Sequence, residues 1–328
     1  MHRVRIVACM ATLLGSQAAA QLDTSRSLRI TFLGTSGGPV AAPALAGSAT
    51  LVEYGSEAVL IDAGRGAVQQ MQRINQNLGA IGRVFLTHLH SDHTVGLPEL
   101  WLARWTRARF APPLEVFGPA GTREMVTHIR EAWQYDVDIR SGPPENNPRA
   151  STEMRGNDVQ DGMRIERNGM TITVIRVDHG PVLAYGYRID AGGHSIAFSG
   201  DDIAATNLIE KARGVDVMVH NMSGYTPAQL ADTGRGGEVR RAALKMLATP
   251  EQAGDVFART APKLAVLTHF NRAPEFVART RTTYTGPLEE AQDLMRITIA
   301  DTISVEKPPL STPTVLPVPA PVGRSSAP

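Results

Sequence analysis

The stretch FLTHLHSDHTVGL, residues 85–97, places three histidines and one aspartate within six positions. These residues are His88, His90, Asp92 and His93, and the whole chain has only 9 histidines in 328 residues. Ionisable groups this close repel one another when charged, and burying them unpaired costs several kcal/mol. A divalent cation removes this conflict, because neutral imidazoles and ionised carboxylates are the groups that zinc-like metals bind. The stretch therefore predicts a metal site.

Further ligand-type residues follow predicted strands later in the chain. The runs VIRVD, IAFSG, DVMV and AVLT are followed by His179, Asp201, His220 and His269. A strand that ends in an exposed loop is a rigid place from which to aim a ligand, so we expect these side chains to meet. Even without His220 there are seven candidate ligands, which is too many for one tetrahedral ion. The pattern predicts a two-metal site whose shared water is a hydroxide near neutral pH.

The fold class is predicted from the order of strand-like and helix-like segments. Short β-rich runs alternate with helical stretches, and two runs of strands are each followed by helices. This order predicts an α/β protein, a four-layer αββα sandwich that forms a single domain over residues 21–305. The expected helices are 65–77, 95–109, 121–134, 203–213, 238–247 and 250–261. The last one has clear start chemistry, with Thr249 as N-cap, Pro250 at the first helical position and Gln252 completing a capping box.

Residues 1–20 are predicted to be a signal peptide. Arg3 and Arg5 precede a short apolar run, and Ala18-Ala19-Ala20 offers a cleavage site after Ala20. We therefore expect a periplasmic or secreted protein, with no membrane attachment after cleavage, since the run is too short to span a bilayer. Cys9 is the only cysteine and would leave with the signal, so the mature chain would have no disulfide.

Composition and the C-terminal end narrow the expected partners. Residues 306–328 are rich in proline and predict a disordered tail. The formal net charge is +1, from 33 basic and 32 acidic residues, which offers no basic footprint for nucleic acid. The expected partner is therefore a small-molecule ester substrate and not a nucleic acid, with homodimer formation left open.

The motifs resemble the metallo-β-lactamase fold superfamily of hydrolases, in its tRNase Z-like and arylsulfatase-like branch. The resemblance runs through ITFLGTSGG, LIDAG, THLHSDH, VDHGPVLAYGYRID, FSGDD, VMVHN and VLTHF. It implies two zinc ions, or manganese or iron in their place, with these ligands: His88, His90 and His179 for one ion, Asp92, His93 and His269 for the other, and Asp201 bridging both. His220 matches a histidine that protonates the leaving group in the tRNase Z relatives, and the alternative for it is a hydrogen-bonding role behind the ligands.

The remaining site residues are assigned from their surroundings. Asp92 is expected to be catalytic as well as a ligand, because its more anionic ligand set suits binding the substrate oxygen and the nucleophile together. Asp62, in the LIDAG run, is expected either to orient a ligand from behind or to cap the end of its strand. Asn221 stands where the tRNase Z relatives usually have a glutamate, and it could orient His220 without charge stabilisation.

Three features argue against tRNA as the substrate. The tRNA-processing enzymes carry a flexible basic arm, which in the bacterial form lies between the third-histidine and bridging-aspartate motifs. In this chain only the 21 residues 180–200 separate His179 from Asp201, which leaves room for a hairpin and no arm. The predicted export signal and the neutral charge point the same way.

The function expected from the sequence is therefore an exported dinuclear zinc hydrolase of small anionic esters, either phosphodiesters or aryl or alkyl sulfates. The bridging hydroxide would attack phosphorus or sulfur, and His220 would act as general acid. The alternatives are a tRNase Z-like endoribonuclease or phosphodiesterase, a lactonase or β-lactamase-type hydrolase, and a metal-binding scaffold without turnover.

For three segments the sequence allows two interpretations of their role. Residues 34–39, GTSGGP, could cradle a phosphate or form a tight turn beside the site. Residues 101–110, WLARWTRARF, could line a substrate pocket or form an ordinary apolar helix face. Residues 232–247 could be a mobile lid or a surface loop.

Overall fold

A computed structural model gives the fold, and it describes residues 27–39, 44–223, 225–269 and 274–308. The signal peptide predicted at 1–20 and the predicted tail beyond residue 308 lie outside the described residues, so export and tail disorder stay predictions. Within the described part of the chain, no helix combines the length and the apolar character that crossing a membrane requires.

Fifteen strands are present among the described residues. Their bounds are β1 Leu28–Gly34, β2 Ala49–Tyr54, β3 Glu57–Ile61, β4 Ile81–Phe85, β5 Leu114–Gly118, β6 Met154–Asp158, β7 Arg164–Arg167, β8 Met170–Arg176, β9 Tyr185–Ala191, β10 His194–Phe198, β11 Val217–Asn221, β12 Leu264–Thr268, β13 Leu288–Glu290, β14 Arg296–Ile299 and β15 Ile303–Glu306. They form an eight-stranded sheet in the order β15-β14-β1-β2-β3-β4-β5-β6 and a seven-stranded sheet in the order β13-β12-β11-β10-β9-β8-β7.

The helices lie between these strands. Their bounds are α1 Ala67–Arg73, α2 Ser91–Thr94, α3 Leu97–Arg107, α4 Thr122–Ala132, α5 Gln134–Ser141, α6 Thr206–Lys211, α7 Pro227–Ala231, α8 Arg235–Ala243, α9 Pro250–Thr260 and α10 Pro274–Thr280. Short 3-10 turns cover Leu78–Ala80 and Arg149–Thr152. The predicted capping box of α9 is present, with Thr249 accepting from the backbone amide of Gln252.

Alternating side chains along the strands build the layers. In β11, Val217 and Val219 point into the core between the two sheets, whereas Met218 belongs to the core beneath α6 and α9. In β5, Phe117 lies between the sheets and Val116 packs beneath the helices that cover the first sheet. Because successive strand residues face opposite sides, each sheet buries apolar side chains on both faces. The predicted four-layer αββα sandwich is confirmed.

Some helices differ from those predicted. In place of the predicted helix 238–247 the structure has α8 over Arg235–Ala243, and α2, α5, α7 and α10 were not predicted at all. Val137 is the only buried residue of α5, so that helix has no apolar stripe to reveal it.

Parallel pairing positions the site. Strands β3 to β6 are parallel in the first sheet, and β10 to β13 are parallel in the second. The loops that leave the carboxyl ends of β4, β10 and β12 carry candidate ligands, and ligands bind preferentially at such strand ends. The two sheets therefore bring residues distant in sequence to one end of the sandwich.

Candidate metal centre

The loop after β4 is held from behind by Asp62. Its carboxylate accepts hydrogen bonds from the backbone amide of Thr87, at 2.8 Å, and from the Thr87 hydroxyl, at 3.0 Å. The backbone amide of Asp62 in turn donates to the Phe85 carbonyl, at 2.9 Å. These bonds fix the turn between β4 and α2, which carries His88 and His90, while Asp92 and His93 follow on α2.

One group of donor atoms is formed by His88, His90 and His179. The Nδ1 atom of His90 lies 2.9 Å from His88 Nε2 and 3.4 Å from His179 Nε2. The Oδ2 atom of Asp201 lies 3.9 Å from His88 Nε2 and 3.8 Å from His179 Nε2. Three histidine nitrogens therefore cluster as the ligands of a metal ion would, with one oxygen of Asp201 within 4 Å of two of them.

A second group is formed by Asp92, His93 and His269. The Nε2 atoms of His93 and His269 are 3.1 Å apart, and Asp92 Oδ2 lies 3.3 Å from His269 Nε2. The other oxygen of Asp201, Oδ1, lies 3.6 Å from His93 Nε2 and 3.4 Å from His269 Nδ1. Because its two oxygens face different groups, Asp201 stands between them in the position of a bridging ligand.

Buried atoms without partners test whether cations fit here. Asp201 Oδ1 and His269 Nδ1 are both buried without a hydrogen-bond partner among the described residues. Leaving such atoms unpaired costs about 1–3 kcal/mol each, and more for a charged group. Burial, reinforced by the imidazoles of His93 and His179, holds the pKa of His88 far below its ordinary value, so the ring is neutral. The donor set therefore fits divalent cations.

Asp62 and His93 form a carboxylate–histidine pair behind the second group. His93 Nδ1 donates to Asp62 Oδ2 at 2.7 Å, which leaves Nε2 facing His269 and Asp201. Burial opposes a proton on His93, but the carboxylates of Asp62, Asp201 and Asp92 outweigh it and raise its pKa to about 10. This concentration of negative charge favours a cation at Nε2. Asp62 therefore lies behind a candidate ligand, His93.

His220 lies away from the cavity, which favours a hydrogen-bonding role behind the ligands over the general-acid role. It is the penultimate residue of β11, and its ring is fully buried against Phe257 of α9, with centroids 6.1 Å apart. Its Nε2 atom lies 3.4 Å from Asp202 Oδ2, and it is not among the described residues that line the cavity. The geometry therefore does not deliver a His220 proton directly to a leaving group, because the ring points to the helix side of the sheet.

Asn221 also differs from its predicted role. His220 Nδ1 donates to the main-chain carbonyl of Asn221, at 2.7 Å, and not to its side chain. The Asn221 side-chain oxygen accepts instead from the backbone amide of Asp202, at 3.1 Å, and from the Ser199 hydroxyl, at 3.3 Å. The Asn221 side chain therefore positions the loop that carries Asp201.

A cavity of about 400 Å³ opens above the two groups of donors. Its described lining consists of these residues: Gly37, Gly38, Pro39, His90, Asp92, His179, Asp201, Met222, Ser223, Tyr225, Val239, Ala242, Ala243, Met246, Leu247 and His269. Part of segment 232–247 thus forms a helical wall of the cavity, and not merely a remote surface loop.

The loop at residues 34–39 supports a candidate ligand. The backbone amide of Gly38 donates to Asp92 Oδ2 at 2.8 Å, so this amide already has an acceptor and is not directed at a phosphate. A Cβ atom at Gly37 would lie 2.6 Å from His269 Nδ1, so the backbone packs directly on that ring. The tight-turn interpretation fits this geometry better than a phosphate cradle does.

For segment 101–110 the structure favours an apolar helix face over a substrate pocket. Trp101 and Trp105 are buried in the core between α3 and the first sheet, and their indole N–H groups donate to the carbonyls of Thr152 and Pro148. Neither tryptophan lines the cavity above the candidate ligands.

Three supporting residues were missed at the level of sequence. Asp293 ties the loop after β1 to α1, Asp202 accepts from the backbone amides of Asp178 and Ala205, and the Met246 carbonyl accepts from His179 Nδ1 at 2.7 Å. The second aspartate of FSGDD was a visible signal for Asp202. Asp293 and a backbone carbonyl carry no motif that could have revealed them.

A family model described as "Beta-lactamase superfamily domain" matches residues 57–270. Among curated relatives, the ribonuclease Z of Mycobacterium sp. (strain KMS) is 30% identical over 288 residues, which cover 85% of this chain and 99% of the relative. The ribonuclease Z of Mycobacterium bovis (strain BCG / Pasteur 1173P2) is 34% identical over 206 residues, covering 60% of this chain and 70% of the relative.

Solved structures share the fold. The metallo-beta-lactamase fold protein YhfI from Bacillus subtilis has a TM-score of 0.64 and 19% identity, covering 83% of this chain and 99% of that chain. The short form of human tRNase Z has a TM-score of 0.61 and 22% identity over the same shares. The resemblance predicted from the motifs is confirmed, and this fold implies binding of divalent metal.

Two expectations from the sequence are wrong. The main expected function, an exported hydrolase of small phosphodiesters or sulfate esters, is contradicted because the similar curated proteins are named ribonuclease Z. The expectation of a small-molecule partner without nucleic acid falls with it. Both rested on a short connection, a predicted export signal and a whole-chain charge, and none of these features describes the surface beside the site.

Proposed function

This chain belongs to the β-lactamase superfamily, and we propose that it is a ribonuclease Z-like phosphodiesterase that cleaves RNA with two divalent metal ions. That it is a metal-dependent hydrolase was predicted from the sequence and is confirmed by these relatives. The observation that carries the proposal is the position of Asp201 between two groups of ligand-type atoms, with one carboxylate oxygen directed to each.

The proposed metals are two zinc ions, with manganese or iron as alternatives. Three groups of residues could hold a metal ion: His88, His90 and His179; His88, His93 and Asp201; and Asp92, His93 and His269. Within each group all the ligand atoms lie within 4.8 Å of one another. Histidine nitrogens and carboxylate oxygens suit each of these metals. Two such ions, when bound, would polarise the phosphodiester and supply a nucleophile at neutral pH.

The chain's own residues then position the reacting group. Asp92 and Asp201 line the cavity floor beside His90, His179 and His269, so a phosphodiester bound there would contact both groups. The Gly38 amide holds Asp92, and Asp62 holds His93 in one tautomer. His220 and Asp202 are assigned a positioning role, since Asp202 follows Asp201 in the same loop and His220 Nε2 lies 3.4 Å from the Asp202 carboxylate.

The test pairs metal analysis with RNA cleavage by the purified chain. We expect about two metal ions per chain and cleavage of an RNA that carries a 3′ extension, such as a tRNA precursor. Asp201→Ala should lose both, because it removes the group common to both sites.

Asp190→Ala is the matched control, since Asp190 lies on β9 of the same sheet and pairs with Arg188 at the surface. It should keep both the metal content and the cleavage. A metal-loaded chain that cleaves no RNA would overturn the proposed function.

A further inference from the structure

His179 is held by a main-chain group that lies 67 positions later in the chain. Its Nδ1 atom lies 2.7 Å from the carbonyl oxygen of Met246. Because a carbonyl only accepts, Nδ1 carries the ring proton, and Nε2 is left to face His90 and Asp201, at 3.4 and 3.8 Å. A histidine held in this way has a fixed tautomer and a fixed ring orientation. The position of the Met246 carbonyl therefore sets the position of one candidate ligand atom.

Met246 is structurally continuous with α8. The backbone amides of Lys245 and Met246 donate to the carbonyls three residues earlier, in the last turn of α8, both at 3.0 Å. On the other side of Met246, the backbone amide of Ala248 donates to the Asp202 carbonyl, at 2.9 Å. The Met246 carbonyl is thus held between the end of α8 and the loop that carries Asp201. A shift of α8 would therefore move this carbonyl relative to His179.

The helix α8 is held in turn by the α7–α8 hairpin. Arg241 donates to the main-chain carbonyls of Leu230 and Asp232, at 2.7 and 2.8 Å. These carbonyls lie at the end of α7, where a helix leaves carbonyl groups without partners. A Cβ atom at Gly237 would collide with the Asp232 carbonyl, so α8 packs directly on this backbone. The hairpin therefore gives α8 a defined position.

The other group of candidate ligands has a separate support. Asp62 accepts from His93, and the backbone amide of Gly38 donates to Asp92. Both supports follow strands of the first sheet, β3 and β1, whereas the hairpin lies between β11 and β12 of the second. A change in the hairpin should therefore reach the group that contains His179 and leave the other group unchanged.

We infer that the α7–α8 hairpin positions His179 through the Met246 carbonyl, and so sets the metal affinity of one of the two proposed sites. The inference rests on the proposed function for the two metals and adds to it a support that acts on a single site. Arg241 is a positioning residue in this arrangement, since it holds α8 against α7. Because α8 also lines the cavity, a shift of this helix would change the cavity wall and one metal site together.

A substitution at Lys245 tests the connection with a matched control. Lys245→Pro removes the amide that bonds to α8 and disfavours the helical conformation of the preceding residue, so the Met246 carbonyl should move away from His179. Loss of such a partner behind a ligand costs roughly 10–100-fold in metal affinity. Lys245→Ala removes the same exposed side chain, keeps the amide and should bind metal like the wild type. Competition for Zn²⁺ with a chromogenic chelator gives both dissociation constants, and we expect Lys245→Pro to raise only one.

A second background shows whether the effect passes through His179. In a His179→Ala chain the ligand is already absent, so Lys245→Pro should have no further effect on Zn²⁺ binding. Arg241→Ala should act in the same direction as Lys245→Pro but by less, because its hydrogen bonds lie at an exposed surface. Arg259→Ala breaks an exposed pair with Asp255 on α9 and should change neither constant. Circular dichroism and urea unfolding of each variant check the fold.

The outcomes are decisive in both directions. Equal weakening of both sites by Lys245→Pro, unchanged constants, or the same effect from Lys245→Ala would overturn the inference. An effect in the His179→Ala background as large as in the wild type would also overturn it. If Lys245→Pro unfolds the chain, Arg241→Ala in the two backgrounds decides by the same criterion.

These measurements use Zn²⁺ without RNA, so the two proposals can fail separately. A wild-type chain that binds two ions but cleaves no RNA would overturn the proposed function and leave the role of the hairpin intact. A wild-type chain that binds fewer than two ions would overturn both.

Discussion

Asp293 accepts hydrogen bonds from both the backbone amide and the hydroxyl of Thr35, at 3.0 and 2.8 Å, although the two residues are 258 positions apart. Its other oxygen accepts from the Ala46 amide and the Gln70 side chain. One carboxylate from the loop before β14 therefore anchors both ends of the loop after β1. That loop carries Gly37 and Gly38, which contact the candidate ligands His269 and Asp92.

Replacing Asp293 by Asn should destabilise the chain and loosen the second metal group. The new side-chain amide would place its N–H groups next to groups that now donate to a carboxylate oxygen. This should lower the free energy of unfolding by about 1–3 kcal/mol. Metal affinity should fall more at Asp92–His93–His269 than at His88–His90–His179. Urea unfolding and calorimetric metal titration measure the two effects. Asp301→Asn, at an exposed position, is the control, and equal losses from both variants would contradict the prediction.

Adding one methyl group at Gly37 should displace a candidate ligand. The Cβ atom of Gly37→Ala would lie 2.6 Å from His269 Nδ1, closer than such atoms approach, so the ring or the loop must shift. A shift near 1 Å in a catalytic site can cost on the order of a hundredfold in rate. The RNA cleavage rate and metal content of Gly37→Ala measure the loss.

Gly82→Ala serves as the comparison for Gly37→Ala. Gly82 lies on β4, and an added Cβ there would meet nothing within 4 Å. It should leave rate and metal content nearly unchanged. If Gly37→Ala behaves like Gly82→Ala, the contact between the loop and His269 has no functional weight.

Removing the charge behind His93 should weaken metal binding without unfolding the chain. Asp62 has a positive φ of 59°, a conformation that asparagine tolerates, so Asp62→Asn keeps the backbone. Loss of such a partner behind a ligand costs roughly 10–100-fold in metal affinity. Competition with a chromogenic chelator gives the dissociation constant, and circular dichroism checks the fold. An affinity within twofold of wild type would argue that Asp62 does not act on the metal.

The buried ion pair Arg83–Glu57 should affect stability and leave the site untouched. Arg83 donates to Glu57 Oε1 at 2.6 and 3.0 Å, and Asn168, in the turn between β7 and β8 of the second sheet, donates to Glu57 Oε2 at 2.7 Å. Glu57→Ala leaves the Arg83 charge buried and unpaired, which costs about 3–5 kcal/mol. Glu166→Ala breaks an exposed pair with Arg164 and should cost at most about 1 kcal/mol. Denaturant unfolding of the two variants gives the comparison, and similar losses would refute the cross-sheet role.

Much of the fold was predictable because strand and helix periods are local properties. The alternation of Val217, Met218 and Val219 already assigns two faces to β11, and the structure buries these residues in two different cores. The helix α5 was not predicted because Val137 is its only buried residue. Its sequence therefore has no apolar stripe at helical spacing that would indicate a helix.

The sequence by itself determined the chemistry of the site, because H-x-H-x-D-H and the strand-end residues place ligand-type groups where parallel strands terminate. Only the tertiary structure decided how those groups are supported and covered. In the folded chain His220 packs against Phe257 of α9, and Asp293 accepts from Thr35 although the two are 258 positions apart. Val239 and Ala243 of α8 line the cavity above the ligands. The physical reason is that these arrangements depend on contacts between segments far apart in the chain. Composition and net charge are averages over the whole chain, and the spacing of apolar residues describes only near neighbours in sequence.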